Sequence, residues 1–257
     1  DLDNTLLDKS GQIPESTAAL LRQAAQKGIL TAVATGRCYP SAKGAAAVIG
    51  AQTPIICYNG SLIKRGDTGE VLAQTYVTPE QIRAVSAFCH RNDLYLQLYD
   101  YDDVILCEQD CEGLRVDPDL AVVGFREIGD YRVHPDLHPT PKMLIVEREE
   151  KVSARLLELE QVFPDLSFCQ SQPWLIEVMP KTAGKGLAVA KLAEIFGVKQ
   201  EEVMTLGDNT NDLPMIRWAG LGVAVGNAVE ALKAEADYIC TAERSLGVEE
   251  ALKKFIL

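Results

Sequence analysis

The chain has little of several things, and each shortage closes off a class of function. Among its 257 residues there are three histidines, two tryptophans and no C-x-x-C pair. A zinc ribbon or a redox-active dithiol would therefore lack its ligands. No apolar run approaches the roughly 18 residues of a membrane span, and no secretory or transit pattern opens the chain. Positive charge is short as well: 25 Lys and Arg stand against 37 Asp and Glu, a net charge of −12. That balance argues against nucleic acid or an anionic membrane surface as partner.

The seven cysteines, at 38, 57, 89, 107, 111, 169 and 240, are odd in number, and several sit in apolar runs such as Ile56-Cys57-Tyr58. They read as buried free thiols of a reducing compartment, so a cytoplasmic protein is expected. His134 and His138 have the spacing of a zinc pair on a helix, but Pro135 and Pro139 oppose a helix there, so solvated loop histidines are expected. The glycines from Gly220 to Gly226 straddle a strand instead of opening a helix after one. The dinucleotide fingerprint is therefore absent.

What is present is an ordinary globular balance, 47% apolar with mean hydropathy near zero, enough for one sizeable core and a second lobe. Helix over 15–27, strand over Ile29–Ala34, helix over 45–49 and strand over 54–58 alternate, with Ala18, Leu21 and Ala25 spaced for a helix face. The alternation returns after residue 185: helix 186–196, strand 203–206, helix 212–218, strand 221–225, helix 228–235, strand 238–240 and helix 248–255. Such order predicts an α/β fold with a doubly wound parallel sheet. Between these halves, helix 79–92, strands 94–99 and 104–107 joined by a short acidic turn, strand 143–146, helix 151–163 and strands 166–170 and 175–178 predict an inserted α+β lobe. The expected domains are 1–78 and 181–257 for the core and 79–180 for the insert. The insert holds 20 acids and 9 bases, nearly all of the net charge. A solvated acidic surface is the reading given to it.

Four segments carry chemistry. Asp1-Leu2-Asp3-Asn4-Thr5 places two carboxylates two residues apart. Thr35-Gly36-Arg37 follows the strand over 29–34. Lys185 lies in Gly184-Lys185-Gly186, and Gly207-Asp208-Asn209-Thr210-Asn211-Asp212 follows the strand over 203–206. In an open parallel sheet, ligands bind beyond the carboxyl ends of strands, so all four converge on one rim. Crowded carboxylates repel and raise one another's pKa. A hard divalent cation relieves this, and all-oxygen donors favour Mg²⁺. Such an ion with Lys185 and Thr35 suits a phosphoryl group.

This ordered set, D-L-D-N-T, T-G-R, G-K-G and G-D-N-T-N-D, resembles the four motifs of the haloacid dehalogenase superfamily. The insert between the second and third motifs is similar to the type IIB cap of Cof-type hydrolases, and Tyr58-Asn59-Gly60-Ser61 resembles their turn after the third core strand. The resemblance spans the chain and implies a Rossmannoid core with an inserted cap. It also implies a Mg²⁺-dependent phosphatase acting on a small phosphorylated metabolite, a sugar phosphate or phosphorylated cofactor. Asp1 would be the nucleophile that forms an aspartyl-phosphate, and Asp3 the acid and then base. Asp1, the Asp3 carbonyl and Asp208 would hold the metal. Thr35, Gly36, Lys185 and Asn211 would bind the phosphoryl oxygens, with Asp212 in support.

A phosphosugar mutase on the same scaffold and a non-catalytic phosphometabolite-binding module are the alternatives, and a monomer or small homo-oligomer is expected. Two departures stand out. Asn4 replaces the usual Gly, and Asn tolerates left-handed angles. The family's nucleophile ends a buried strand, so the resemblance implies a short apolar stretch ahead of Asp1, without which core and activity would suffer.

Overall fold

Alternating apolar helices and strands pair in parallel because each crossover helix carries the chain back to the same sheet end. The computed structural model describes residues 1–50, 53–100, 104–117 and 119–257. Contacts divide the chain into two units, Asp1–Ala73 with Gly184–Leu257, and Gln74–Ala183.

The first unit begins with a turn over Leu2–Leu6, closed by Leu7 N donating to Leu2 O at 2.9 Å, with Asn4 at φ 62°. The left-handed angle at Asn4 is the one its side chain tolerates. Helix α1 (Glu15–Gln26) buries Thr17, Ala18, Leu21 and Ala24; Ala25, expected on the inner face, points outward. Strand β1 (Val33–Ala34), helix α2 (Tyr39–Ile49) and strand β2 (Pro54–Cys57) follow, with β1 parallel to β2 in the register Val33↔Ile55. Helix α2 starts six residues earlier than the apolar pattern suggested, because Pro40 fits a first turn, where no amide partner is needed. Strands β3 (Leu62–Arg65) and β4 (Val71–Gln74) extend this sheet in the order β1-β2-β3-β4, with β3 antiparallel to β2. Neither was expected; both are short, β3 ends in Lys64-Arg65 and β4 is a partly exposed edge strand, which blurs alternation.

The second unit starts at helix α3 (Pro79–Arg91), whose Thr78 cap accepts from Gln81 N while the Gln81 side chain accepts from Thr78 N. Strands β5 (Tyr95–Tyr99) and β6 (Ile105–Cys107) form the expected hairpin; the acidic turn at 101–103 lies outside the described residues. Helix α4 (Leu120–Val123), β7 (Phe125–Glu127), β8 (Met143–Val146), α5 (Val152–Val162), β9 (Leu166–Gln172) and β10 (Leu175–Pro180) complete it. The sheet runs β7-β6-β5-β8-β10-β9, antiparallel except for β6 with β7. Alternation decides its faces. Leu96, Leu98, Met143, Ile145, Ile176 and Val178 pack with Ile82, Val85 and Phe88 of α3 and Val152 and Leu159 of α5. Each such aliphatic burial contributes about 1.5–3 kcal/mol. Residues 134–138 form turns, without a helix to align their histidines.

The first unit resumes with α6 (Lys185–Phe196), β11 (Met204–Gly207), α7 (Leu213–Trp218), β12 (Leu221–Ala224), α8 (Glu230–Lys233), β13 (Tyr238–Ile239) and α9 (Arg244–Phe255). Its three strands pair in parallel, in the order β11-β12-β13. Parallel pairing with helical crossovers is the expected α/β fold, drawn in two ladders instead of one continuous sheet. The strand expected over Ile29–Ala34 shortens to Val33–Ala34, and Ile29 and Leu30 are 42% and 45% exposed. Residues 29–32 line an apolar cavity of about 440 Å³, together with residues 203–206, and have no ladder partner among the described residues. All seven cysteines are free thiols. Among the described residues, no helix is long and apolar enough to cross a membrane.

Candidate active site

Asp208 and Asp212 lie in the loop after β11, and they meet Asp1, just ahead of the turn over Leu2–Leu6, and Lys185. Lys185 opens α6, and its side chain is 1% exposed. Its Nζ donates at 2.6 Å to Asp1 Oδ1 and at 2.6 Å to Asp212 Oδ1. The other Asp212 oxygen, Oδ2, accepts from the amides of Asp208 and Asn209 at 3.0 and 3.1 Å. Both Asp212 oxygens are thus engaged, so this residue shapes the loop. Gly207 makes that possible: a Cβ there would fall 2.6 Å from Asp212 Cβ.

Burial alone would raise the Asp212 carboxyl, but Lys185 first, and then the loop amides, more than offset it, leaving it below its ordinary value. Asp208 goes the other way. Burial, then the neighbouring Asp212 charge, push its carboxyl up to about 6. Thr5 Oγ1 donates to Asp208 Oδ1 at 3.2 Å. The Asp1 backbone nitrogen donates to Leu206 O at 3.1 Å.

One oxygen each from Asp1, Asp208 and Asp212 lies within 4.8 Å of the others. Three buried or half-buried carboxylates against one lysine form an oxygen-only donor set with negative charge in excess, which suits a hard divalent cation. A second group, His90, Glu108 and Asp130 in the other unit, is taken up by its own pairs. His90 Nε2 lies 2.7 Å from Glu108, and Arg132 clasps Asp130.

The remaining predicted residues gather beside the first cluster. Thr35 is buried, and its Oγ1 accepts from Arg37 N at 3.2 Å. Gly36 abuts the Asn59 side chain, and Asn211 Nδ2 donates to Asn59 Oδ1 at 3.1 Å. Asp3 is not brought against Asp1: its exposed carboxylate is held by Arg37, with Nε donating to Oδ2 at 2.9 Å and Nη2 to Oδ1 at 2.5 Å. Sequence reading missed three contributors. Thr5 and Arg37 stand inside quoted motifs, where a hydroxyl and a guanidinium were available signals. Asn59 lies in a quoted turn, but nothing local ties it to Asn211, 152 residues away.

Comparison with known proteins agrees in scope. Residues 1–252 match the family described as haloacid dehalogenase-like hydrolase. The chain is 28% identical over 279 residues to a 5-amino-6-(5-phospho-D-ribitylamino)uracil phosphatase of Bacillus subtilis (strain 168), covering 96% of this chain and 93% of the relative. Its structure resembles a haloacid dehalogenase-like hydrolase from Bacteroides thetaiotaomicron with TM-score 0.85 and 29% identity, covering 99% and 97% of the two chains. It also resembles a subclass IIB sugar phosphatase with TM-score 0.79 and 27% identity, covering 99% and 96%.

Proposed function

The chain belongs to the haloacid dehalogenase-like hydrolases and is a phosphatase, and we propose that it hydrolyses a small phosphomonoester through an aspartyl-phosphate formed at Asp1. The observation that carries this reading is Lys185, fully buried and bonded at 2.6 Å to both Asp1 and Asp212. Its ammonium orients the Asp1 carboxylate and offers positive charge where phosphoryl oxygens arrive.

In the first step, an Asp1 oxygen forms a bond to phosphorus as the bond to the leaving oxygen breaks, and Asp3 gives that oxygen its proton. Arg37 holds the Asp3 carboxylate in the structure, so Asp3 swings away from Arg37 to act. In the second step, Asp3 takes a proton from water as the water oxygen attacks phosphorus, and inorganic phosphate leaves with Asp1 restored. Thr35, Gly36 and Asn211 bind the phosphoryl oxygens. Asp1, Asp208 and the Asp3 carbonyl would hold Mg²⁺, whose charge offsets that of the phosphoryl oxygens when bound.

Sugar phosphates and phosphorylated cofactors are the proposed substrates. The named activities of the ribitylaminouracil phosphatase and the sugar phosphatase support that range. Seven free thiols fit a reducing, cytoplasmic setting. The test is phosphate release from an aryl phosphate and a panel of metabolite monophosphates, with Mg²⁺, with chelator, and with Asp1→Asn. Turnover abolished by chelator and by the substitution is the expected result. Turnover that survives Asp1→Asn overturns the aspartyl-phosphate route.

A further inference from the structure

Asn59 has no part in the chemistry described above, yet the loops that would bind phosphate meet at its turn. Residues 58–61 follow β2, and Tyr58 and Asn59 take left-handed backbone angles, φ 50° and 51°. Asn is among the residues that accept this region; Tyr there is unusual and has to be held by its surroundings. The turn is held on three sides. Tyr58 N donates to Arg37 O at 3.1 Å and Asn59 N to Thr35 O at 2.9 Å, which ties it to the loop after β1. Asn59 Oδ1 accepts from Asn211 Nδ2, which ties it to the loop after β11. Gly60, at φ 107°, lies against Gly184, where a Cβ would fall 2.5 Å from the Gly184 carbonyl oxygen. That contact ties it to the segment that presents Lys185.

The side chain of Asn59 is 3% exposed, and its carboxamide also abuts Gly36: a Cβ on Gly36 would fall 3.2 Å from Asn59 Nδ2. One buried carboxamide therefore touches two of the phosphoryl-binding positions, Gly36 and Asn211, and its turn packs on the loop that carries a third.

From this we propose that Asn59 is a positioning residue, which sets the spacing of the Gly36 and Asn211 arms and so governs phosphate affinity without touching the reacting atoms. This inference rests on the phosphatase reading, so its test uses a quantity that does not need turnover. The dissociation constant for inorganic phosphate is measured by calorimetry in the presence of Mg²⁺, alongside kcat and KM for an aryl phosphate. Glycine keeps the left-handed backbone while removing the side chain, so Asn59→Gly separates the two. Its phosphate dissociation constant and KM should rise about tenfold, the effect of losing one buried polar contact, while kcat changes much less. Asn59→Gly placed in an Asn211→Ala background should cost less than it does alone, since the part of its effect that runs through Asn211 is already lost and only the Gly36 contact remains.

Asn59→Asp serves if the glycine variant does not fold. It keeps the turn and an oxygen facing Asn211 but sets a buried carboxylate among the phosphate-binding groups, so its phosphate dissociation constant should also rise by at least about tenfold. Unchanged phosphate affinity in Asn59→Gly or in Asn59→Asp, or fully multiplicative effects in the double variant, would each overturn the inference. An unaltered protein that binds phosphate but releases none from any ester sinks the phosphatase reading alone. One that binds no phosphate sinks both.

Discussion

Each unit buries one lysine, Lys185 in the first and Lys142 in the second, at 1% and 3% exposure, and their surroundings differ in kind. Lys185 is flanked by two carboxylates at 2.6 Å, with Asp208 beside them. Lys142 lies 3.5 Å from Glu177 and 4.2 Å from the centre of the Tyr99 ring. Nearby, Asp117 accepts from Tyr99 Oη and Gln97 Nε2. The first cluster is assembled from the loop after β11, the start of α6 and the residue ahead of the first turn, with loop amides holding Asp212. The second is carried by alternate positions of antiparallel strands, on the face opposite Leu96 and Leu98. Turns and a helix start from distant parts of the chain concentrate charge in one place, whereas a sheet face spreads it in register.

The sharpest break between the two clusters should be catalytic. Asp1→Asn is expected to lower aryl-phosphate turnover by at least about 10³-fold, while Glu177→Gln stays within about tenfold of the unaltered protein. Steady-state kinetics on both variants check this, and comparable losses would erase the distinction.

Next in size is stability. Lys185→Met and Lys142→Met each strand a buried carboxylate, at about 3–5 kcal/mol. The second break should be repairable: Lys142→Met with Glu177→Leu is expected to return to within about 1 kcal/mol of the starting stability, since an apolar pair can replace a buried ion pair. Lys185→Met with Asp212→Leu should not recover, because Asp212 Oδ2 also holds the amides of Asp208 and Asn209. Urea unfolding of the four variants decides it.

The effect of pH is smaller and has a definite sign. Asp208 is raised to about 6 from an ordinary 3.8, so the folded, metal-free protein binds a proton there more tightly than the unfolded chain does. Metal-free stability should therefore gain from this group as pH falls from about 6 toward 4. Divalent-cation affinity should fall over the same range, because a protonated carboxyl is a poor ligand. Cation titrations at pH 5 and 7 read the second effect, and equal affinities would contradict the assignment of Asp208.

Smallest of all, Arg132→Ala removes a solvent-exposed clasp on Asp130 in the second unit and should leave the melting temperature nearly unchanged.

Much of the α/β order was legible because a buried strand and an amphipathic helix have different apolar periods. Helix α6 and the run β11-α7-β12 fall where their patterns place them. The misses have particular causes. Ile29–Ala32 reads as strand by composition, but strand is a paired state, and no partner lies along it among the described residues. β3 and β4 contain Lys64, Arg65 and Gln74, polar residues that hide the alternation. Ala24 and Ala25 both lie within about a turn of Leu21, on opposite flanks of its face, and three apolar residues do not fix which flank is buried.

By itself the sequence determined which side chains could do chemistry: the acid pair at 1 and 3, the acids at 208 and 212, Lys185, and the Thr35 and Asn211 loops, all but the first pair placed after an apolar run or at the start of a helix. These are local facts, written in residue type and spacing. Tertiary structure alone decided how the charges divide. It put Lys185 between Asp1 and Asp212, turned Asp3 toward Arg37, gave Asp208 rather than Asp212 the raised pKa, and joined Asn59 to Asn211. A carboxylate's pKa and partner depend on burial and on charges a few ångströms away. Those neighbours come from loops up to two hundred residues distant, which only the folded chain brings together.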